Sequence, residues 1–200
     1  MAKAASNKTT AARLIVGISG ASGTIYGVRL LEMLRKTDIE THLVMSKSAE
    51  MTLAYETDLK PKDVRALASV HYPAADIGAA ISSGSFPTMG MIVAPCSIRT
   101  MSEIATGVTS SLLSRAADVV LKEKRRLVLA IRETPLHAGH LRSMATLADI
   151  GAVIAPIVPA FYNRPQSVDD IVNHTCGRLL DLFGIDTGIV KRWKGGPAEA

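Results

Sequence analysis

Between Arg13 and Gly27 an apolar run, Leu14-Ile-Val-Gly-Ile18, passes straight into Ser19-Gly-Ala-Ser-Gly23 and then into an amphipathic stretch. Glycines at 17, 20 and 23 allow tight turning and close approach of the backbone to a ligand. The N–H groups and positive dipole end of the helix that follows favour an anion. Ser19 and Ser22 add hydroxyl donors to this loop. The arrangement suits a phosphate held where a strand turns into a helix.

Two departures narrow the ligand. A dinucleotide site carries an acid about 20 residues on, at the end of the second strand. This chain has Ser46-Lys47-Ser48 there, with Asp38 and Glu40 at the strand's other end. No Lys-Ser or Lys-Thr follows the glycines, as a nucleoside-triphosphate loop requires. A ligand with a single phosphate, such as FMN, fits both departures.

Further chemistry recurs after each later apolar run. Ser46 follows the second run, Pro95-Cys-Ser-Ile-Arg-Thr100 the third, Arg132-Glu133-Thr134-Pro135 the fourth, and Pro159-Ala-Phe-Tyr162-Asn-Arg164-Pro165 the fifth. In open parallel sheets ligands sit beyond the carboxyl ends of the strands, so these segments converge on one edge. Arg132 can fork onto a phosphate while Glu133 handles protons. Against this, polar loops and helix caps place hydroxyls at strand ends in any such fold. Glu56 is either a catalytic carboxylate or a solvent-exposed helix end, and Arg115 with Asp118, three apart, suits a helix-face ion pair.

Composition excludes several classes. The net charge of +5, from 23 basic and 18 acidic residues, is dispersed, and 4% aromatic content offers little stacking surface for single-stranded nucleic acid. Lys122-Glu-Lys-Arg-Arg126 complements a helix C-terminus. His137 and His140 have no acidic or cysteine partner at metal-ligand spacing. Cys96 and Cys176 form no C-x-x-C pair, which points to a reducing compartment and, by default, a cytoplasmic location. The longest apolar stretch, Gly151 to Phe161, contains Pro156 and Pro159 and falls short of the roughly 20 residues a membrane span needs.

The elements that must position these residues alternate along the chain. Strands are expected at about 14–18, 39–45, 90–94, 127–131 and 152–156. Helices are expected at 24–36, 47–55, 61–68, 98–106, 110–123, 139–149 and 168–183. Met91-Ile-Val-Ala94 and Leu127-Val-Leu-Ala-Ile131 are continuous apolar runs, as buried parallel strands require. Ser167-Val-Asp-Asp170 has capping-box spacing and Gly184 suits a C-cap. These features predict an α/β chain with a Rossmann-like open parallel sheet and helices on both faces, in one domain over 13–195. Residues 1–12, small and polar with two lysines, read as a disordered tail or a short organellar presequence.

Taken together, several segments resemble the UbiX-type flavin prenyltransferases, flavoproteins related to the flavin-dependent cysteine decarboxylases. They are Gly17-Ile-Ser-Gly-Ala-Ser-Gly23, Ser46-Lys47, Glu56-Thr-Asp58, Pro95-Cys-Ser-Ile-Arg-Thr100, Arg115-Ala-Ala-Asp118, Leu121-Lys-Glu123, Arg132-Glu-Thr-Pro-Leu136 and Phe161-Tyr-Asn-Arg-Pro-Gln-Ser167. The resemblance implies a metal-independent homododecamer that joins the dimethylallyl group of dimethylallyl phosphate to N5 and C6 of reduced FMN. The product, prenylated FMN, serves UbiD-type decarboxylases and ubiquinone biosynthesis. It further implies FMN contacts at Gly20, Ala21, Ser22, Ser46, Ser97, Ile98, Arg99, Thr100 and Arg132, with the Arg99 side chain not assumed to matter. Prenyl-phosphate contacts fall on Tyr162 and Arg178, with Lys122, Arg132 and Glu133 lining that site and Arg115 and Trp193 close by. Ser22, Glu56, Lys122 and Glu133 carry the catalytic roles. The alternatives are an FMN-dependent decarboxylase of a small acid or a peptidyl cysteine, or a non-enzymatic flavin carrier.

Overall fold

The computed structural model describes residues 12–193 and 195; the expected tail falls almost wholly outside them. The chain folds as β1 (Arg13–Ile18), α1 (Thr24–Leu34), β2 (Glu40–Met45), α2 (Lys47–Glu56), α3 (Pro61–Arg65), β3 (Val70–Tyr72), a 3-10 turn (Ala80–Ser82) and β4 (Gly90–Cys96). It continues as α4 (Ile98–Thr106), α5 (Leu112–Lys122), β5 (Arg126–Ile131), α6 (Ala138–Asp149), β6 (Ala152–Ile154) and α7 (Val168–Asp181).

All strand pairs are parallel, in the order β3-β2-β1-β4-β5-β6. Alternate residues of each strand face opposite layers. Leu14, Val16, Leu43, Ile92 and Val128 pack beneath α1 and α7 through Val28, Leu31, Val172 and Leu180. Ile15, Val44, Met91, Val93 and Leu129 pack against α4, α5 and α6 through Met101, Leu113, Val120 and Leu147. Chain order reverses between β1 and β4, so the sheet has its switch point there, where its helices diverge to opposite faces and leave a crevice.

One strand was not expected. β3 is short and half exposed, pairs in parallel with β2, and is reinforced by side-chain bonding between the two. Ser69 and Thr41 exchange backbone-to-hydroxyl bonds of 3.1 and 2.9 Å. The buried His42 sets Nδ1 2.9 Å from Tyr72 Oη. The expected 152–156 strand ends at Ile154, although Ala155 and Ile157 still donate to Leu129 O and Ile131 O on either side of Pro156. Among the described residues no helix is long and apolar enough to cross a membrane.

Candidate active site

The crevice at the switch point is locked by one buried hydroxyl. Ser19 Oγ donates to Pro95 O at 2.8 Å and accepts from Ser97 N at 2.7 Å, tying the end of β1 to the end of β4. Ser19 was expected to donate to a ligand; it is fully buried and serves the backbone instead. Gly17 likewise is not a turn residue, since it lies within β1, paired with Val44 and Val93. Gly20 does sit in the turn, and a Cβ there would collide with Ser48 at the start of α2.

Three helix starts open on this crevice. Ser46 caps α2 by accepting from Ala49 N at 3.0 Å, and Ser97 caps α4 by accepting from Thr100 N at 3.3 Å. Ser111 caps α5 and exchanges a capping box with Ser114. Ser46, Lys47, Ser97, Arg99, Thr100 and Ser111 line one cleft of about 460 Å³. Three dipole ends and the ammonium of Lys47 attract an anion to this cleft, whose one lining carboxylate, Glu103, is paired by Arg99, and its volume is that of a small-molecule site. A phosphate-bearing group such as FMN fits these donors. Ser111 escaped the sequence reading, although Ser110-Ser111 before Leu112-Leu113 is a cap signal.

The head of α1 behaves differently. Gly23 takes a left-handed conformation, φ 95°, and provides no side-chain cap. Glu56, at the end of α2, supplies the cap from a distance: its carboxylate accepts from Gly23 N at 2.9 and 3.0 Å, from Thr24 N at 3.1 Å and from Thr24 Oγ1 at 3.0 Å. Desolvation pushes this carboxyl's pKa up, but hydrogen bonds from Ser22, Gly23 and Thr24 outweigh it and hold the group below its ordinary value. The anion expected at the start of α1 is therefore the chain's own carboxylate. The helix starts that open on the cleft are those of α2, α4 and α5.

Arg132 borders the cleft, for its N–H donates to Cys96 O at 3.1 Å, next to Ser97. Glu133 accepts from the following Thr134 N at 3.0 Å. Arg132 and Glu133 are exposed, and neither forms an ion pair among the described residues.

The remaining expected site residues lie in two other groups. Tyr162 Oη is 2.9 Å from His174 Nε2, and Trp193 meets the Tyr162 ring edge-to-face at 5.9 Å. Arg178, one turn beyond His174, pairs with Asp181 at 2.6 Å. Hydrogen bonds from Arg192 and Arg178 hold the Asp181 carboxyl below its ordinary value. Arg115 pairs with Asp118 at 2.8 Å along α5. Lys122, paired with Glu123, ends α5 just before β5 begins. Lys122 thus stands where strands start, on the sheet edge opposite the cleft. His137 is accounted for as the cap of α6, accepting from Gly139 N at 3.0 Å. Burial pushes the Cys176 thiol up to about 12, so it is inert at neutral pH.

Residues 2–180 match the family described as Flavoprotein. The flavin prenyltransferase UbiX of Escherichia coli (strain K12) is 62% identical over 186 residues, spanning 92% of this chain and 98% of that protein. A crystal structure of AnUbiX (PadA1) in complex with FMN and dimethylallyl pyrophosphate superposes with a TM-score of 0.92 at 50% identity, covering 93% of this chain and 99% of that one. A dodecameric FMN-dependent UbiX-like decarboxylase from Escherichia coli O157:H7 superposes with a TM-score of 0.90 at 51% identity, covering 92% and 100%.

Proposed function

The chain belongs to the flavoprotein family and, within it, to the UbiX-type flavin prenyltransferases, and from that premise we propose that it transfers the dimethylallyl group of dimethylallyl phosphate to N5 and C6 of reduced FMN. Reduced FMN would supply the electron-rich nitrogen and carbon: N5 takes the allylic carbon and loses its proton as the C–O bond breaks and phosphate leaves, then the prenyl double bond takes a proton and its tertiary carbon bonds C6, which releases the ring proton. The observation that carries this reading is the cleft where three capped helix starts meet beside Arg132.

In this reading Ser46, Ser97 and Thr100 hold the FMN phosphate through hydroxyls and helix-start N–H groups, with Gly20, Ala21, Ser22, Ile98 and the Arg99 backbone lining the site. Arg132, Arg178, Tyr162 and Lys122 donate to the departing phosphate, where charge grows in the transition state. That electrostatic role needs no metal. Glu56, ionised and beside Ser22, is suited to take a proton, as is Glu133. Trp193 shields the allylic group and offers an aromatic face to positive charge.

In this reading Lys122 serves the cleft of a neighbouring copy, because it stands at the far edge of its own sheet. A dodecamer, as in the UbiX-like relative, supplies such neighbours. Two unpaired thiols suit a reducing, cytoplasmic setting. The product would pass to a UbiD-type decarboxylase, in ubiquinone biosynthesis. Anaerobic incubation with reduced FMN and dimethylallyl phosphate, followed by mass spectrometry of the flavin, tests the proposal. An adduct heavier by one prenyl group is expected. Unmodified flavin with both ligands bound overturns it, and carbon dioxide release from an aromatic hydroxy acid by the protein alone would favour a decarboxylase.

A further inference from the structure

Tyr162 sits on the segment between β6 and α7, its side chain half exposed, and its hydroxyl meets His174 Nε2 at 2.9 Å. His174 is only 7% exposed. Its ring meets the tyrosine edge-to-face at 5.4 Å while Trp193 closes another side, so the phenol is held in one orientation. A phenol has one proton to give and two lone pairs to receive with. If Tyr162 donates to His174, it has nothing left to offer a phosphate oxygen. If His174 carries its proton on Nε2 and donates, the tyrosine proton is directed away from the histidine, toward whatever anion lies on the open side.

We propose that His174 is a positioning residue for prenyl-phosphate binding: its Nε2–H donates to Tyr162 Oη and thereby commits the tyrosine O–H to the phosphate. This rests on the reading that Tyr162 contacts that phosphate. Burial, and then the charge of Arg178, lower the His174 pKa against the pull of Asp181, so the imidazole is neutral near pH 7 and carries one N–H. Arg178 then supplies the charge and Tyr162 the directed hydrogen bond.

A double-mutant cycle on the full-length protein saturated with FMN tests this, with dimethylallyl phosphate affinity and FMN affinity read separately. Tyr162→Phe is expected to weaken dimethylallyl phosphate binding about tenfold or more, the size of one hydrogen bond to a charged group. His174→Phe is expected to weaken it about threefold to tenfold, while His174→Gln, which keeps an N–H, recovers most of the loss. Tyr162→Phe/His174→Phe should be no worse than Tyr162→Phe, and FMN affinity should stay unchanged throughout. A further loss from His174→Phe in the Tyr162→Phe background overturns the proposal, because the histidine then acts on the fold and not through the hydroxyl. A silent Tyr162→Phe overturns instead the underlying assignment of Tyr162 to the phosphate. If His174→Phe does not fold, His174→Asn, whose shorter amide cannot reach Oη, replaces it in the cycle.

Discussion

The cleft at the switch point and the cations of α5 and α7 are built on opposite plans. In the cleft each hydroxyl is fixed by backbone: Ser19 joins two strand ends, and Ser46, Ser97 and Ser111 each close a helix. Arg115, Lys122 and Arg178 instead rest on carboxylates of their own helix or its end, Asp118, Glu123 and Asp181. Such exposed pairs contribute little to stability. The cleft proposed for the cofactor is thus a property of the fold. On the proposed reading, the cations exchange a carboxylate for a phosphate when substrate comes, and Lys122 does so in the cleft of another copy. Perturbing the first plan disturbs folding and flavin binding together, whereas perturbing the second leaves the fold intact.

Glu56 belongs to both plans, as the cap of α1 and the proposed proton acceptor, and it gives the largest expected effect. Glu56→Gln keeps an acceptor for Gly23 and Thr24 and so should retain FMN, but turnover should fall about 10²- to 10⁴-fold, the usual value of a general base. Wild-type turnover removes Glu56 from the mechanism. The pH dependence has a definite sign. Its folded pKa is depressed, so its stabilising contribution is present above the unfolded carboxylate value and is lost as pH falls through the lower folded value. Denaturation midpoints from pH 7 down to pH 3 should drop less steeply in Glu56→Gln than in the wild type.

Lys122→Ala sharpens the contrast, with turnover lowered about tenfold to a hundredfold and the melting temperature unchanged. Its decisive form is a mixture. Assemblies reconstituted from Lys122→Ala and Glu56→Gln chains should regain activity, because some clefts then carry an intact Glu56 from one copy and an intact Lys122 from another. If Lys122 served its own chain, every cleft would keep one defect and the mixture would stay as inactive as its parents. Ser19→Ala should do the reverse: Pro95 O keeps the Ser19 N–H at 3.2 Å, but the half-buried Ser97 N–H loses its acceptor, costing about 1–3 kcal/mol. Urea denaturation measures that cost, and flavin fluorescence should show weakened FMN binding in parallel. Unchanged stability would mean that the lock between β1 and β4 is dispensable.

These contrasts mark what was legible in the sequence. Five strands, the helices between them and the polar strand ends are local patterns of apolar period and cap residues, read within a few residues. β3 was missed because its support comes from Thr41 and His42, some 28 to 30 residues away in the chain. Glu56 was recognised as a carboxylate of interest, but nothing near it predicts that it caps a helix starting 32 residues earlier. Tyr162 and Arg178 required a resemblance to be noticed, and His174 between them went unread, since a histidine on a helix carries no pattern until its partner is in place. Backbone chemistry was visible; pairing across the fold was not.

The smallest effect belongs to Arg99, which lies on the wall of the cleft yet follows the second plan. Its side chain is 82% exposed and pairs with Glu103 one turn along α4 at 3.0 Å. An i,i+4 pair of this kind is worth about 0.3–0.5 kcal/mol. On the proposed reading, what residue 99 offers the cofactor is its N–H in the first turn of α4, which any side chain leaves in place. Arg99→Ala should therefore leave FMN affinity and turnover within about twofold of wild type. A tenfold loss of FMN affinity on titration would show that a guanidinium, and not only the helix start, holds the phosphate there.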